Sequence, residues 1–491
     1  MPRPALRSLL PWLAMLLLAA GVAACAVSPV TGERELALIT EADELKLGRD
    51  NDVEIRKQYG VYDDKALQAY VQQVGERLAA KSHRPRLKYT FTVLDSAEVN
   101  AFALPGGYIY VTRGILAHLN SEAELAAVLG HEIGHVTARH AVRQYSAAMA
   151  ANIGVAVGSI LVPELGTRAA QTLVNVIGGA LLSGYGREHE LEADRLGAEY
   201  LARTDYDPQA MIEVIGLLKN QELFEKELAV KEHRKPRVYH GVFATHPSTD
   251  QRLQEIVAAA GKVRTVTNGR VERDSYLRRL DGLPYGDSEA QGIRRGHAFY
   301  HHGLGFAVRF PEGWQLDNTP ERLLARRPDG DALLEMQVTA RGNARTPQEY
   351  LVVNMQLRDL REARTLKVNA LPAYTAVSRM LTPFGLRDTR VAAVFLGNHS
   401  FRFFGAARET DGQLERAFLD TVRSLHALRL EERPIARGQR LDVVTTKRGD
   451  TFAKLARQTP LQHEPENILR LLNNRYPQGE PAAGELIKVI R

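Results

Sequence analysis

In His131-Glu132-Ile133-Gly134-His135, residue types and spacing suggest a reaction. On a helix, side chains four apart share a face. His131 and His135 can then present two imidazole nitrogens to one metal ion about 2 Å away. Glu132 sits one step round the helix, where it can take a proton from water that a zinc ion acidifies towards a pKa of ~7. This is the chemistry of metal-assisted hydrolysis. Two surface histidines on an amphipathic helix would show the same spacing, so the reading depends on a third ligand. The segment Arg187 to Gly197 supplies candidates. Glu190 and Asp194 are four apart, and one carboxylate can bind the ion while the other hydrogen-bonds a ligand imidazole and fixes its tautomer. Cys25 is the only cysteine. A disulfide within the chain, a Cys-based zinc ribbon and an iron–sulfur centre are thereby excluded, and any metal falls to His, Asp or Glu.

These side chains need rigid elements to hold them. Ser121 and Glu124 have the S-x-x-E form of a capping box, and Leu125, Val128, Leu129, Ile133 and Val136 follow as an apolar stripe at helical spacing. A second helix carries the acids, with Ala193, Leu196, Gly197 and Tyr200 on a small or apolar face. Tyr108 to Val111 reads as a strand after the turn Pro105-Gly106-Gly107. As an exposed edge beside the metal helix, it would hold an extended peptide through backbone hydrogen bonds.

Three stretches carry a resemblance: Asn100 to Gly114, His131 to His135, and Glu190-Leu191-Glu192-Ala193-Asp194. Together they resemble metallopeptidase family 48, the gluzincins that include CAAX prenyl proteases and HtpX-like enzymes. The resemblance covers roughly residues 35–260. It implies a mainly α-helical zincin (gluzincin) catalytic domain with a small edge-strand sheet and one Zn2+ per chain. His131, His135 and Glu190 become the metal ligands, Glu132 the base, and Asp194 the residue that orients a ligand histidine. Glu188 and Glu192 are left as surface acids. Asn100, Ala101, Phe102, Gly107 and Tyr108 become the substrate-binding edge. Thr245-His246-Pro247 puts His246 where the family commonly has a His-Pro. In periplasmic, lipid-free members that His can occupy the fourth zinc position, which makes His246 a candidate gate or transition-state donor. Arg252, in the helix that follows, is a weaker candidate to hold an oxyanion.

The 491 residues suggest roughly three domains at ~150 residues each. With 44% apolar and 25% charged residues, a disordered chain and a many-span membrane protein are excluded. The net charge of +6 gives no argument for nucleic acid. Residues 1–24 read as a secretory signal, and Val22-Ala23-Ala24-Cys25 resembles a lipobox. That resemblance implies a lipid anchor on Cys25. Ala26 in place of Asp implies sorting to the outer membrane with the body on its periplasmic face. The peptidase domain is expected over 25–262, a linker over 263–296, an α+β domain of unassigned role over 297–429, and a linker over 430–440. Residues 441–491 resemble a LysM-like βααβ module, with peptidoglycan as candidate ligand, although the pattern departs from the family between 457 and 470. The uncharged stretch Gln144 to Pro163 reads as buried helix, since its Ala, Gly, Ser and Asn content is weak for a membrane span.

The expected function is a zinc-dependent endopeptidase acting on misfolded or misassembled cell-envelope proteins, with water activated by zinc and Glu132. The alternative is an envelope chaperone or scaffold with a peptide cleft and a peptidoglycan-binding module, its proteolysis latent. The intact Glu132 argues against a dead enzyme.

Overall fold

The computed structural model describes residues 25–149, 185–232, 252, 254, 269–409 and 412–491. Residues 1–24, read as a secretory signal, most of the uncharged stretch and His246 lie outside the described residues. Among the described residues, no helix is long and apolar enough to cross a membrane. The chain divides into one unit made of residues 1–55, 61–283 and 441–491, and a second made of 56–60 and 284–440.

The first unit begins with an antiparallel ribbon, β1 (Cys25–Val27) and β2 (Arg34–Leu36), followed by α1 (Glu41–Tyr59). Asp64 caps α2 (Lys65–Ala79) by accepting from the Leu67 N–H, and the helix buries Leu67, Val71, Val74 and Leu78. Then come β3 (Thr90–Leu94), β4 (Ala101–Leu104) and β5 (Tyr108–Thr112), in the spatial order β3-β5-β4. β3 runs parallel and β4 antiparallel to β5. Tyr108 to Val111 is therefore the centre of this sheet, not its edge. The edge facing away from β3 is β4, because the parallel β3 partner occupies the other side of β5.

Thr112 caps α3 (Arg113–His118), and Ser121 caps α4 (Glu122–Thr137). The Ser121 hydroxyl accepts from the Glu124 N–H at 3.1 Å. The Glu124 carboxylate reaches one residue past the cap, to the Asn120 N–H at 2.7 Å, rather than closing a capping box on Ser121. All of α4 is buried, not only the apolar stripe. It is wrapped by α5 (Arg187–Arg203) and α6 (Gln209–Lys231), with α7 (Arg273–Arg279) nearby. Glycine makes the closest approach feasible. A Cβ on Gly197 would lie 3.0 Å from the His131 nitrogen and 2.5 Å from Met211 Cε.

The second unit is built on a seven-stranded antiparallel sheet. Helix Gly412–Ser424 lays Leu414, Phe418 and Val422 on the core that holds Val394, Phe401 and Phe403.

The last segment returns to the first unit as strand, two helices and strand: Gln439–Thr445, Phe452–Ala456, Pro465–Leu472 and Leu486–Ile490. The two strands are antiparallel, with Leu441 opposite Ile490. Lys488 is fully buried, and its ammonium donates to the carbonyls of Ala117 at 2.8 Å and Leu119 at 2.7 Å, at the C-terminal end of α3. The Tyr476 hydroxyl bonds Glu227 of α6, and its ring meets Phe224 edge-on at 5.7 Å.

Candidate metal centre

α4 presents His131 and His135 on one face, and α5 brings Glu190 and Asp194 against it. The two Nε2 atoms are 3.0 Å apart. Glu190 Oε2 lies 3.5 Å from His131 Nε2, and Glu190 Oε1 lies 3.5 Å from His135 Nε2. Tetrahedral ligands about 2.1 Å from one ion stand about 3.4 Å apart, so this donor set fits zinc. All three residues are buried, and among the described residues theirs is the group able to hold a metal ion.

The remaining nitrogens and oxygens are also engaged. His131 Nδ1 lies 2.8 Å from Asp194 Oδ1. The Arg252 guanidinium grips Asp194 with two bonds of 2.7 Å and comes within 3.2 Å of Glu190. Burial works against the Asp194 charge, and Arg252 together with the His131 hydrogen bond more than offsets it, holding the carboxyl below its usual range. Burial also opposes a charge on His131. The hydrogen bonds and charges of Asp194 and Glu190 reverse that and push it up to about 10. Two carboxylates around the imidazoles thus favour positive charge here, as a cation site requires.

Glu132 is buried. It lines a small pocket together with His131, Asp194, Arg252 and the apolar Val128, Met211, Val214 and Leu218. Ala101 of β4 lines the same cavity. Phe102 stacks on Tyr110 at 4.9 Å. Of the five residues read as a substrate edge, Ala101 and Phe102 are on β4. Asn100 precedes β4, and its carbonyl accepts from the Thr112 N–H at 3.0 Å. Gly107 and Tyr108 belong to the turn and the central strand. A Cβ on Gly107 (φ +90°) would meet the Lys88 carbonyl at 2.7 Å, so this glycine serves the turn. His246 and residues 1–24 lie outside the described residues. Cys25 opens β1.

Sequence reasoning left out His140 and took Glu192 for a surface acid. His140 is fully buried, and its Nδ1 lies 2.8 Å from His135 Nδ1. Its position five residues after His135 falls outside the i, i+4 arithmetic. Arg139 is the reason the contact forms. Its φ of +53° ends α4 and turns the chain, and its guanidinium is tied to buried Glu44 at 3.0 Å. No local signal for that turn exists in the sequence.

Residues 65–260 match the pattern of Peptidase family M48. Together with the buried His–His–Glu group on two facing helices, this defines the class: the chain carries an M48 peptidase domain of the zinc metalloendopeptidase kind. It is 32% identical over 209 residues to the putative beta-barrel assembly-enhancing protease of Vibrio cholerae, covering 41% of this chain and 40% of that one. It is 27% identical over 371 residues to the beta-barrel assembly-enhancing protease of Escherichia coli K12, covering 70% and 72%. It is also 33% identical over 159 residues to the mitochondrial metalloendopeptidase OMA1 of Arabidopsis thaliana, covering 32% and 31%. The matched region thus spans less than half of the Vibrio and Arabidopsis proteins.

Proposed function

We propose that this protein is a zinc-dependent endopeptidase of the cell envelope that hydrolyses misfolded or misassembled envelope polypeptides. The observation that carries the reading is Glu132, buried between the two histidines on α4 and lining the cavity that β4 borders. Zinc, when bound, supplies Lewis-acid polarisation of the scissile carbonyl and a lowered pKa for water. His131, His135 and Glu190 would hold it. Glu132 takes the proton of the attacking water and delivers it to the leaving amine nitrogen. Asp194 accepts from His131 Nδ1, which leaves Nε2 as the nitrogen that would give up its proton and take the ion. Ala101 and Phe102 on β4 align an extended substrate, and the apolar side of the cavity receives one of its side chains. His246 is the candidate fourth ligand and gate.

The β-barrel assembly named for two relatives supports an envelope substrate, as do the signal-like leader and Val22-Ala23-Ala24-Cys25. On this reading an acyl anchor on Cys25 holds the protein to the periplasmic face of the outer membrane, and 441–491 is a candidate peptidoglycan contact. The test is cleavage of casein and of an unfolded outer-membrane barrel protein by wild type and Glu132→Gln. The variant is expected to keep its zinc and its melting temperature and to lose about 10²- to 10⁴-fold in rate. Chelation should abolish wild-type activity, and added zinc should restore it. Equal cleavage by the two proteins would sink the mechanism.

A further inference from the structure

His135 Nε2 faces the ion site, so its other nitrogen needs a partner within a dry interior. That partner is His140 Nδ1, at 2.8 Å. The opposite nitrogen of His140 lies 3.1 Å from Glu192 Oε2, and Arg143 Nη1 donates to the same oxygen at 3.0 Å. The His189 ring lies over His140, centroids 4.3 Å apart and planes within 20°.

The sense of this chain of bonds is fixed from one end. An ionised carboxylate only accepts. Glu192 therefore takes the Nε2–H of His140, which leaves His140 Nδ1 as an acceptor. His135 must then donate from Nδ1, and its Nε2 keeps a lone pair directed at the ion site. His131 has a shorter route: its Nδ1 faces Asp194 alone, at 2.8 Å, which leaves Nε2 as the nitrogen toward the ion site.

We propose that His140 and Glu192 are positioning residues of the metal centre, setting the tautomer and orientation of His135. The assignment rests on the zinc-peptidase reading only for the identity of the ion. It makes α5 the organiser of the whole centre. One helix carries the carboxylate ligand Glu190 and both residues that terminate the histidine hydrogen bonds, Glu192 and Asp194.

The test is zinc affinity of the full chain by competition with a chromophoric chelator, read beside the visible spectrum of the cobalt(II)-loaded protein. His140→Ala is expected to weaken zinc about 10- to 100-fold and to change the cobalt bands. His140→Gln, whose carbonyl can accept the His135 proton, should recover part of the loss. Glu192→Gln lies at the outer end of the chain and keeps the proposal testable if His140→Ala does not fold. It should weaken zinc by a smaller factor. Wild-type affinity and an unchanged cobalt spectrum in these variants would overturn the proposal. So would a lower melting temperature with unchanged affinity, the mark of a purely structural role. Neither measurement needs a substrate, so failure here is separable from failure of the peptidase reading, which Glu132→Gln addresses.

Discussion

At Arg252 a single guanidinium lies across two carboxylates of the centre, and the residue is 3% exposed. Sequence reasoning gave this arginine a weak claim on an oxyanion. The contacts to Asp194 and Glu190 make it a clamp that aims both acids and holds the Asp194 carboxyl below its usual range. Removing one member of a buried charge group leaves the rest uncompensated. Arg252→Gln is therefore expected to destabilise the metal-free protein by about 3–5 kcal/mol in denaturant titration, with zinc restoring part of it. A change below about 1 kcal/mol would show that the clamp is dispensable. What was legible at this scale lay within single helices. The spacing of His131, Glu132 and His135, and of Glu190 and Asp194, already stated a metal chemistry. Arg252 and His140 were not legible in these roles, because tertiary packing and a left-handed turn at Arg139 bring them to the site.

The pairing of α4 with α5 puts ligands from two helices around one point, and small residues permit it. Gly130 sits against the Gly197 backbone at 3.3 Å, and Gly134 against Ala193 at 3.0 Å, measured from an added Cβ. Gly197→Val would press on Met211 and on the His131 backbone. The expected cost is about 1–3 kcal/mol of stability together with a lower zinc content of the purified protein. Wild-type metal content with only a lower melting temperature would mean that the helices part elsewhere. The small face of α5 was visible in the sequence. The full burial of α4 was not, because Ala126, Ala127, Gly130 and Gly134 are too small to register as an apolar stripe, although their size lets neighbours close in. The sheet order was hidden for a different reason. The parallel pairing of β3 with β5 is non-local, and no feature of Tyr108 to Val111 reveals a partner on both sides.

At the scale of the molecule, the peptidase unit is discontinuous, closed by residues 441–491. Sequence reading set these apart behind a linker as a module of their own. One signal was available: Lys488 is a lone charge among Leu486, Ile487, Val489 and Ile490, at a position the strand turns inward. Burial pushes its amine down, with Glu124 opposing that shift. Lys488→Met would leave two buried carbonyls without a donor and take from Glu124 the stronger of the two cations acting on it, the other being Arg273. The expected loss is about 2–5 kcal/mol in the unfolding of the first unit. An unchanged melting curve would show that the last segment is only lightly attached.

The same contact sets an order of events during synthesis. His131, Glu132, His135, Glu190, Asp194 and Arg252 are all translated before residues 284–440, yet the carbonyls of Ala117 and Leu119 wait for an ammonium that emerges after them. A growing chain thus carries these side chains in an unfinished unit, and the long sequence separation makes closure slow. A copy cut short before Lys488 lacks the ammonium that both carbonyls use, and its first unit is expected to unfold at a lower temperature than that of the full chain.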